Sequence, residues 1–208
     1  MNNKGLVKTN REQIKEKILQ AAITEFSLHG FVGASTQGIA FRAGMKKSQL
    51  HYYIDDKEAL YYQVLETIFN TWDALFEYDP EQGDTPEKTL SQYISQKFDF
   101  AVTYPELSRV FTMEVMGGGR YLEAYWDRTV SSALIRADII DLWVKGNKIR
   151  NLDGRLLLMN IWAMTQHYAD YALQVEKILK KPITDPEVQE EIKQELITFV
   201  LSGISLTN

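Results

Sequence analysis

The chain has 208 residues, 45% of them hydrophobic, and a formal net charge of −5, enough apolar material to bury one large or two modest cores without an outside scaffold. Cysteine is absent, which excludes disulfides and thiolate metal sites and suits a reducing cytoplasm. The first seventeen residues lack a signal-type apolar core, and the richest apolar run, Leu156 to Met164, is interrupted by Asn160 and too short to span a membrane, so a soluble cytoplasmic protein with no membrane partner is expected.

Charge divides the chain before any motif is considered. Residues 1–57 carry nine Lys/Arg against five Asp/Glu, a balance of +4, whereas residues 58–208 carry fourteen against twenty-three, a balance of −9. A basic head on an acidic body fits a protein that meets phosphates through one face and repels them elsewhere. The expected division is an N-terminal arm and DNA-binding head over 1–56 and a helical body over 57–208.

Apolar residues recur at intervals of three and four throughout, so the fold class expected is all-α. From Glu12 to His29 the positions Ile14, Ile18, Ala21, Ala22 and Phe26 make one stripe, which Gly30 ends. Ser35 is placed to cap a short second helix carrying Ile39 and Ala40, and Ala43-Gly44-Met45 forms a tight turn before a third helix from Lys46 to Ile54. That is the order of a helix-turn-helix unit, which lays its last helix in a DNA groove. Asp55 or Asp56 caps a fourth helix, expected from Lys57 to Tyr78 and roughly 33 Å long.

A cluster of Asp, Pro, Gly and Thr over Asp79–Pro86 reads as a linker. Pro105 separates two further helices, and Gly117-Gly118-Gly119 breaks the chain again. A long helix is expected from about Tyr121 to Lys145, stopped by Gly146-Asn147. Another is expected from Asp153 to about Leu179, and a last one from Glu187 to Ser202.

The head residues Ile18 to Ala22, Phe26, Gly30-Phe31, Ser35, Ile39-Ala40, Ala43-Gly44, Leu50, Tyr52-Tyr53 and Lys57 to Leu60 follow the order and spacing of the TetR-type transcriptional regulators, which this chain resembles. The resemblance implies a three-helix DNA-binding head, a helical ligand-binding body, a symmetric homodimer, and repression that a small molecule relieves. Three positions depart from the usual pattern: His51 stands where Tyr is common, Ile54 where Phe is common, and Asp55-Asp56 where Pro-Ser is common.

Within the head, Lys46, Lys47, Ser48 and Gln49 open the third helix, where side chains reach base edges and amides reach phosphates. Gln49 suits adenine and Lys47 suits guanine. Ser35, Thr36, Gln37, Tyr52, Tyr53 and Lys57 suit backbone phosphates, and His51 suits a base or a phosphate. One of the adjacent Tyr52 and Tyr53 is expected in the core, because neighbours on a helix point about 100° apart. Lys4, Lys8 and Arg11 give the arm its charge.

In the body, Lys97 falls in the middle of an arc made by Tyr93, Ile94, Ala101 and Tyr104. A lysine there needs a ligand oxygen, a carbonyl or an internal carboxylate, or it snorkels to the helix end. Leu156 to Met164 is apolar nearly all round, as for a helix at the centre of the body, and Trp162, Gln166 and Asp170 then stack at intervals of four. These side chains either grip a flat polar ligand, or Asp170 pairs with Lys97 and Gln166 bonds a backbone carbonyl. In either case they are expected to share a cavity.

Gln96-Lys97, Tyr104 to Phe111, Met113-Glu114, Trp143, Gly146 and especially Ile161 to Tyr171 resemble the pyrimidine-utilisation subgroup of the family. That resemblance implies a uracil-like effector held by Lys97, Trp162 and Gln166. It also favours a homodimer through the C-terminal helices, with Val188, Ile192, Leu196, Phe199 and Gly203 striping the last one. The implied partners are double-stranded DNA bearing a near-palindromic operator, a small effector and a second copy of the chain.

Other classes fit poorly. Of three histidines, His29 and His51 lie in the head, leaving His167 alone in the body with no metal cluster. The glycine run lacks the Lys-Ser/Thr of a phosphate loop. No cofactor and no catalysis are expected. The remaining alternative is a helix-turn-helix protein governed by a partner protein instead of a small ligand.

Overall fold

The computed structural model describes residues 9–75 and 85–206. The arm residues Lys4 and Lys8, most of the linker, and the end of the fourth helix as drawn from sequence lie outside them. All regular structure among the described residues is helical. In chain order it comprises α1 (Asn10–Gly33), α2 (Thr36–Arg42), α3 (Lys47–Tyr53), α4 (Lys57–Leu75), α5 (Pro86–Thr103), α6 (Pro105–Met116), α7 (Trp126–Lys145), α8 (Gly154–Asp170), α9 (Ala172–Leu179) and α10 (Pro186–Ile204). A 3-10 turn over Arg120–Tyr125 precedes α7. No helix of the described residues is long and apolar enough to cross a membrane.

The described residues form two compact units, one within 1–70 and 110–121 and one within 71–109 and 122–208. Both α4 and α6 carry residues of each.

In the first unit, α1 buries Ile18, Ala21, Ala22, Ile23 and Phe26 against Ile39 and Ala40 of α2, Leu50 of α3 and the inner face of α4. Each of the Ile, Leu and Phe side chains contributes about 1.5–3 kcal/mol on leaving water. Gly30 interrupts α1 at φ 61°, ψ −179°, a backbone state that only glycine adopts without strain, so the helix proper ends where the sequence places its stop. Beyond it, Phe31 joins Phe26, Tyr61 and Tyr121 in an aromatic cluster with ring centroids 4.6–5.1 Å apart in the Phe26–Tyr61, Phe31–Tyr61 and Phe31–Tyr121 pairs. The Glu114 carboxylate closes this cluster, accepting from Tyr61 OH at 2.8 Å and from the Tyr121 amide at 2.9 Å. The 3-10 turn stands where sequence periodicity continued α7 back to Tyr121.

In the second unit, Leu90, Ile94 and Phe98 of α5 meet Ala137, Ile140 and Trp143 of α7, Leu158 and Ile161 of α8, and Val188, Ile192 and Leu196 of α10. The Gly154 amide donates to Asp141 Oδ1 at 3.0 Å, fixing the start of α8 against α7. Three expectations change here. The helix drawn from Asp153 to Leu179 is broken at Tyr171 (φ −115°, ψ 26°), whose ring stacks on His167 at 4.9 Å. The buried stripe of α10 continues through Val200 and Ile204, leaving Phe199 and Gly203 exposed. Finally, α8 is not enclosed on all sides by its own chain, since Leu156, Met159, Asn160 and Ala163 are exposed.

Candidate DNA-reading head and effector site

The head is positioned by a buried carboxylate that sequence periodicity did not single out. Glu25 of α1 accepts from the Ser35 amide at 3.2 Å and from Arg42 Nε at 2.8 Å. Burial pushes the Glu25 carboxyl up, but the Arg42 hydrogen bond, the Ser35 amide and the charges of Arg42 and His29 outweigh it and hold it below the usual range. A side-chain carbon added at Gly38 would overlap this carboxylate, so the Glu25 contact as it stands needs glycine at residue 38. Ser35 Oγ caps α2 by accepting from the Gly38 amide at 2.9 Å.

The turn follows the sequence expectation. Gly44 takes φ 66°, and the Gly44 and Met45 amides donate to Phe41 and Ala40 carbonyls, both at 3.0 Å. α3 then presents Lys46, Lys47, Ser48 and Gln49 to solvent at its start, with Leu50 buried beneath. Gln49 Oε1 accepts from the Lys46 amide at 2.8 Å, so it caps its own helix. Tyr52 is 75% exposed while its neighbour Tyr53 is partly buried and meets it edge-on at 5.1 Å. His51 and Gln37 are exposed and Thr36 is partly buried. Lys57 is engaged locally: its Nζ donates to the Phe31 and Ala34 carbonyls at 2.7 and 3.0 Å and lies 4.4 Å from the Phe31 ring. Two of its three N–H groups therefore serve the α1–α2 junction. Asp56 Oδ1 caps α4 by accepting from Ala59 at 2.7 Å.

In the second unit, Lys97 of α5 and Trp162 of α8 are brought together, and two aromatics join them. Lys97 Nζ lies 4.7 Å from the Trp72 ring, 5.8 Å from Trp162 and 5.9 Å from Tyr93. Trp162 Nε1 donates to Tyr93 OH at 2.6 Å, which locks the two rings at one edge. Arg136 of α7, a cation, bears on Lys97: burial first, then Arg136, push the Lys97 ammonium down to about 7. Burial likewise raises the Tyr93 phenol, offset in part by the Trp162 indole and Arg136. Gln166 and Asp170 lie one and two turns further along the same face of α8, both partly buried.

Tyr93 and Trp72 were legible only as members of apolar stripes, and Arg136 had no sequence signal, because its approach depends on how α7 is rotated. Among the described residues no group of His, Cys, Asp or Glu has the makings of a metal site.

A three-helix reading head with an exposed basic third helix, joined to an all-helical body, defines the class of helix-turn-helix transcriptional regulators. The comparisons agree: residues 18–64 match the bacterial regulatory proteins of the tetR family, and residues 64–207 match the C-terminal region of YcdC-like proteins. The chain belongs to the tetR family and is a DNA-binding transcriptional regulator, not an enzyme. It is 35% identical over 191 residues, 91% of this chain and 90% of the relative, to the HTH-type transcriptional regulator RutR of Escherichia coli O157:H7. It is 29% identical over 118 residues, 55% of this chain and 54% of the relative, to the HTH-type transcriptional repressor NicS of Pseudomonas putida. Among solved structures, the ketosteroid transcriptional regulator KstR2 of Mycobacterium tuberculosis shares the fold at TM-score 0.73 with 17% identity, covering 98% of both chains. AibR in complex with isovaleryl coenzyme A and operator DNA aligns at TM-score 0.69 with 14% identity, over 89% of this chain and 97% of that one.

Proposed function

We propose that this regulator is a homodimeric repressor released from a near-palindromic operator by a small, flat, polar effector of pyrimidine type. The observation that carries the effector half is the enclosure of Lys97 by Trp72, Tyr93 and Trp162. A solid structural core has no use for a partly buried ammonium ringed by three aromatic faces, whereas a planar ligand with carbonyl acceptors uses both the rings and the charge. Gln166 and Asp170, one and two turns beyond Trp162, serve the ligand's remaining polar edge.

On the operator side, Lys47 and Gln49 read bases, with His51 beside them. Ser35, Thr36, Gln37, Lys46, Ser48, Tyr52 and Tyr53 hold phosphates, and Lys57 does so only with the donor its junction leaves over. Dimerisation uses α8 and α10, whose single-chain surfaces expose Leu156, Met159 and Phe199. Release requires an effector that binds one conformation of the body better than the other, and α4 and α6 give the shift a covalent route because each carries residues of both units.

The test is binding of the purified protein to its own upstream intergenic DNA across a salt series, with and without uracil and thymine. Expected are tight, salt-steep binding and its loss on adding a pyrimidine. Operator binding that no small molecule alters would transfer control to a partner protein, and no binding at any salt would remove the operator assignment.

A further inference from the structure

Glu25 divides its carboxylate between two partners. Oε1 accepts from the Ser35 amide at 3.2 Å and Oε2 from Arg42 Nε at 2.8 Å, with His29 Nε2 4.0 Å from the same Oε2. The Glu25 side chain is 6% exposed, whereas the Arg42 side chain that meets it is 33% exposed. All of these groups belong to the first unit: Glu25 and His29 to α1, Ser35 to the cap of α2 and Arg42 to its last turn.

Resting on the operator reading above, in which Ser35, Thr36 and Gln37 hold phosphates, we propose that Arg42 is a further operator phosphate ligand, held in orientation by Glu25. A carboxylate that served only to tie down an arginine would take the guanidinium by its fork, through two parallel N–H···O bonds. Here one carboxylate oxygen is committed to the Ser35 amide, and Arg42 is met through Nε alone. Nε carries one of the five guanidinium donors, so the four on the two Nη atoms remain for an acceptor outside the pair. A phosphate matches them, because two of its oxygens accept from the planar fork in parallel. Ser35 and Arg42 share one carboxylate, which stands the guanidinium beside the residue that caps α2.

The anchor lowers the cost of such a contact. An unrestrained arginine gives up rotamer freedom when it closes on a phosphate, and one whose Nε is already tied gives up less. The opposing cost is the Glu25 charge, which repels the same phosphate and is balanced by Arg42 itself. Removing Arg42 alone would leave that carboxylate buried and without its cation, a penalty that has nothing to do with DNA. A discriminating comparison therefore neutralises Glu25 first.

The experiment compares full-length Glu25→Gln with full-length Glu25→Gln/Arg42→Gln, binding each to the chain's own upstream intergenic duplex and to an unrelated duplex across a salt series, with helicity followed by circular dichroism. The second substitution is expected to lower affinity for both duplexes at least about tenfold at low salt. It should also reduce the slope of log affinity against log salt by about 0.9 for each head bound, at unchanged helicity. A backbone contact weakens both duplexes alike, whereas a displaced reading helix weakens the operator alone. Loss confined to the operator, or no loss on either duplex, overturns the inference. If the variants fail to fold, phenylglyoxal labelling of the wild-type protein decides: modification of Arg42, read by mass spectrometry, should fall several-fold when the upstream duplex is bound, and unchanged modification overturns the inference. Wild-type protein that binds the upstream duplex while Arg42 is silent in these measurements leaves the operator reading standing. Wild-type protein that binds neither duplex at any salt overturns the operator reading, and this inference with it.

Discussion

Because Lys97 is partly buried among aromatic rings with Arg136 nearby, its charged form is disfavoured in the folded chain, and folding becomes coupled to its proton. The ammonium is pushed from an ordinary 10.5 down to about 7. Below pH 7 it is protonated folded and unfolded, and the full penalty is present. Between about pH 7 and 10.5 the unfolded chain holds a proton that the folded chain has lost, so stability rises with pH across that window. Lys97→Met removes the charge and keeps the stem. It should therefore stabilise the protein near pH 6 by on the order of a few kcal/mol, with a gain that shrinks by pH 9, while weakening effector binding. Urea denaturation of both proteins at the two pH values is the measurement; an equal effect at both would show that the ammonium carries no folded-state penalty. The sequence placed Lys97 on an inward arc, and that much is a matter of period alone. It did not disclose that a cation stands opposite, because Arg136 lies 39 positions away on α7 and no local spacing links the two.

At the scale of elements, the close approach of α7 and α8 depends on one position. A side-chain carbon at Gly154 would lie 2.6 Å from the Ala137 carbonyl oxygen and 3.0 Å from Ile140 Cβ. The nearer obstacle is backbone, which cannot rotate aside as a side chain does. Gly154→Ala should cost about 1–3 kcal/mol, read as a fall in the urea midpoint at constant slope, although alanine is the better helix former. What the sequence disclosed about the elements follows the same division between local and distant causes. The caps by Ser35 and Asp56, the stop at Gly30 and the turn at Gly44 were legible, since each needs a particular residue type at a fixed offset. The break at Tyr171 was not, because an apolar stripe runs across a single distorted residue without changing period. The 3-10 turn over Arg120–Tyr125 was hidden as well: its Tyr121 amide meets the Glu114 carboxylate of α6, and the three-and-four apolar pattern carries no trace of that bond. On α10 the three-and-four pattern allowed Phe199 or Val200 to follow Leu196, and packing against α5 chose Val200.

At the scale of the whole molecule, the proposed dimer rests on the faces that α8 and α10 leave uncovered. Leu156 on α8 is 58% exposed and Phe199 on α10 is 64% exposed, on helices that otherwise bury their stripes in the core. Apolar faces on two helices suit a two-fold contact in which each helix meets its counterpart, giving four helices at the interface. A dimer then offers two α3 helices to half-sites one DNA turn apart, roughly 34 Å. Phe199→Glu places two carboxylates near the axis and leaves the internal stripe of Val188, Ile192, Leu196 and Val200 untouched. Sedimentation should show a monomer of unchanged helicity. Its operator affinity should fall by orders of magnitude, and the slope of log affinity against log salt should drop by about half, because one head neutralises about half the phosphates. A variant that sediments as a monomer yet keeps the full affinity and slope would mean that a single head accounts for operator binding and that the exposed faces of α8 and α10 serve some other contact.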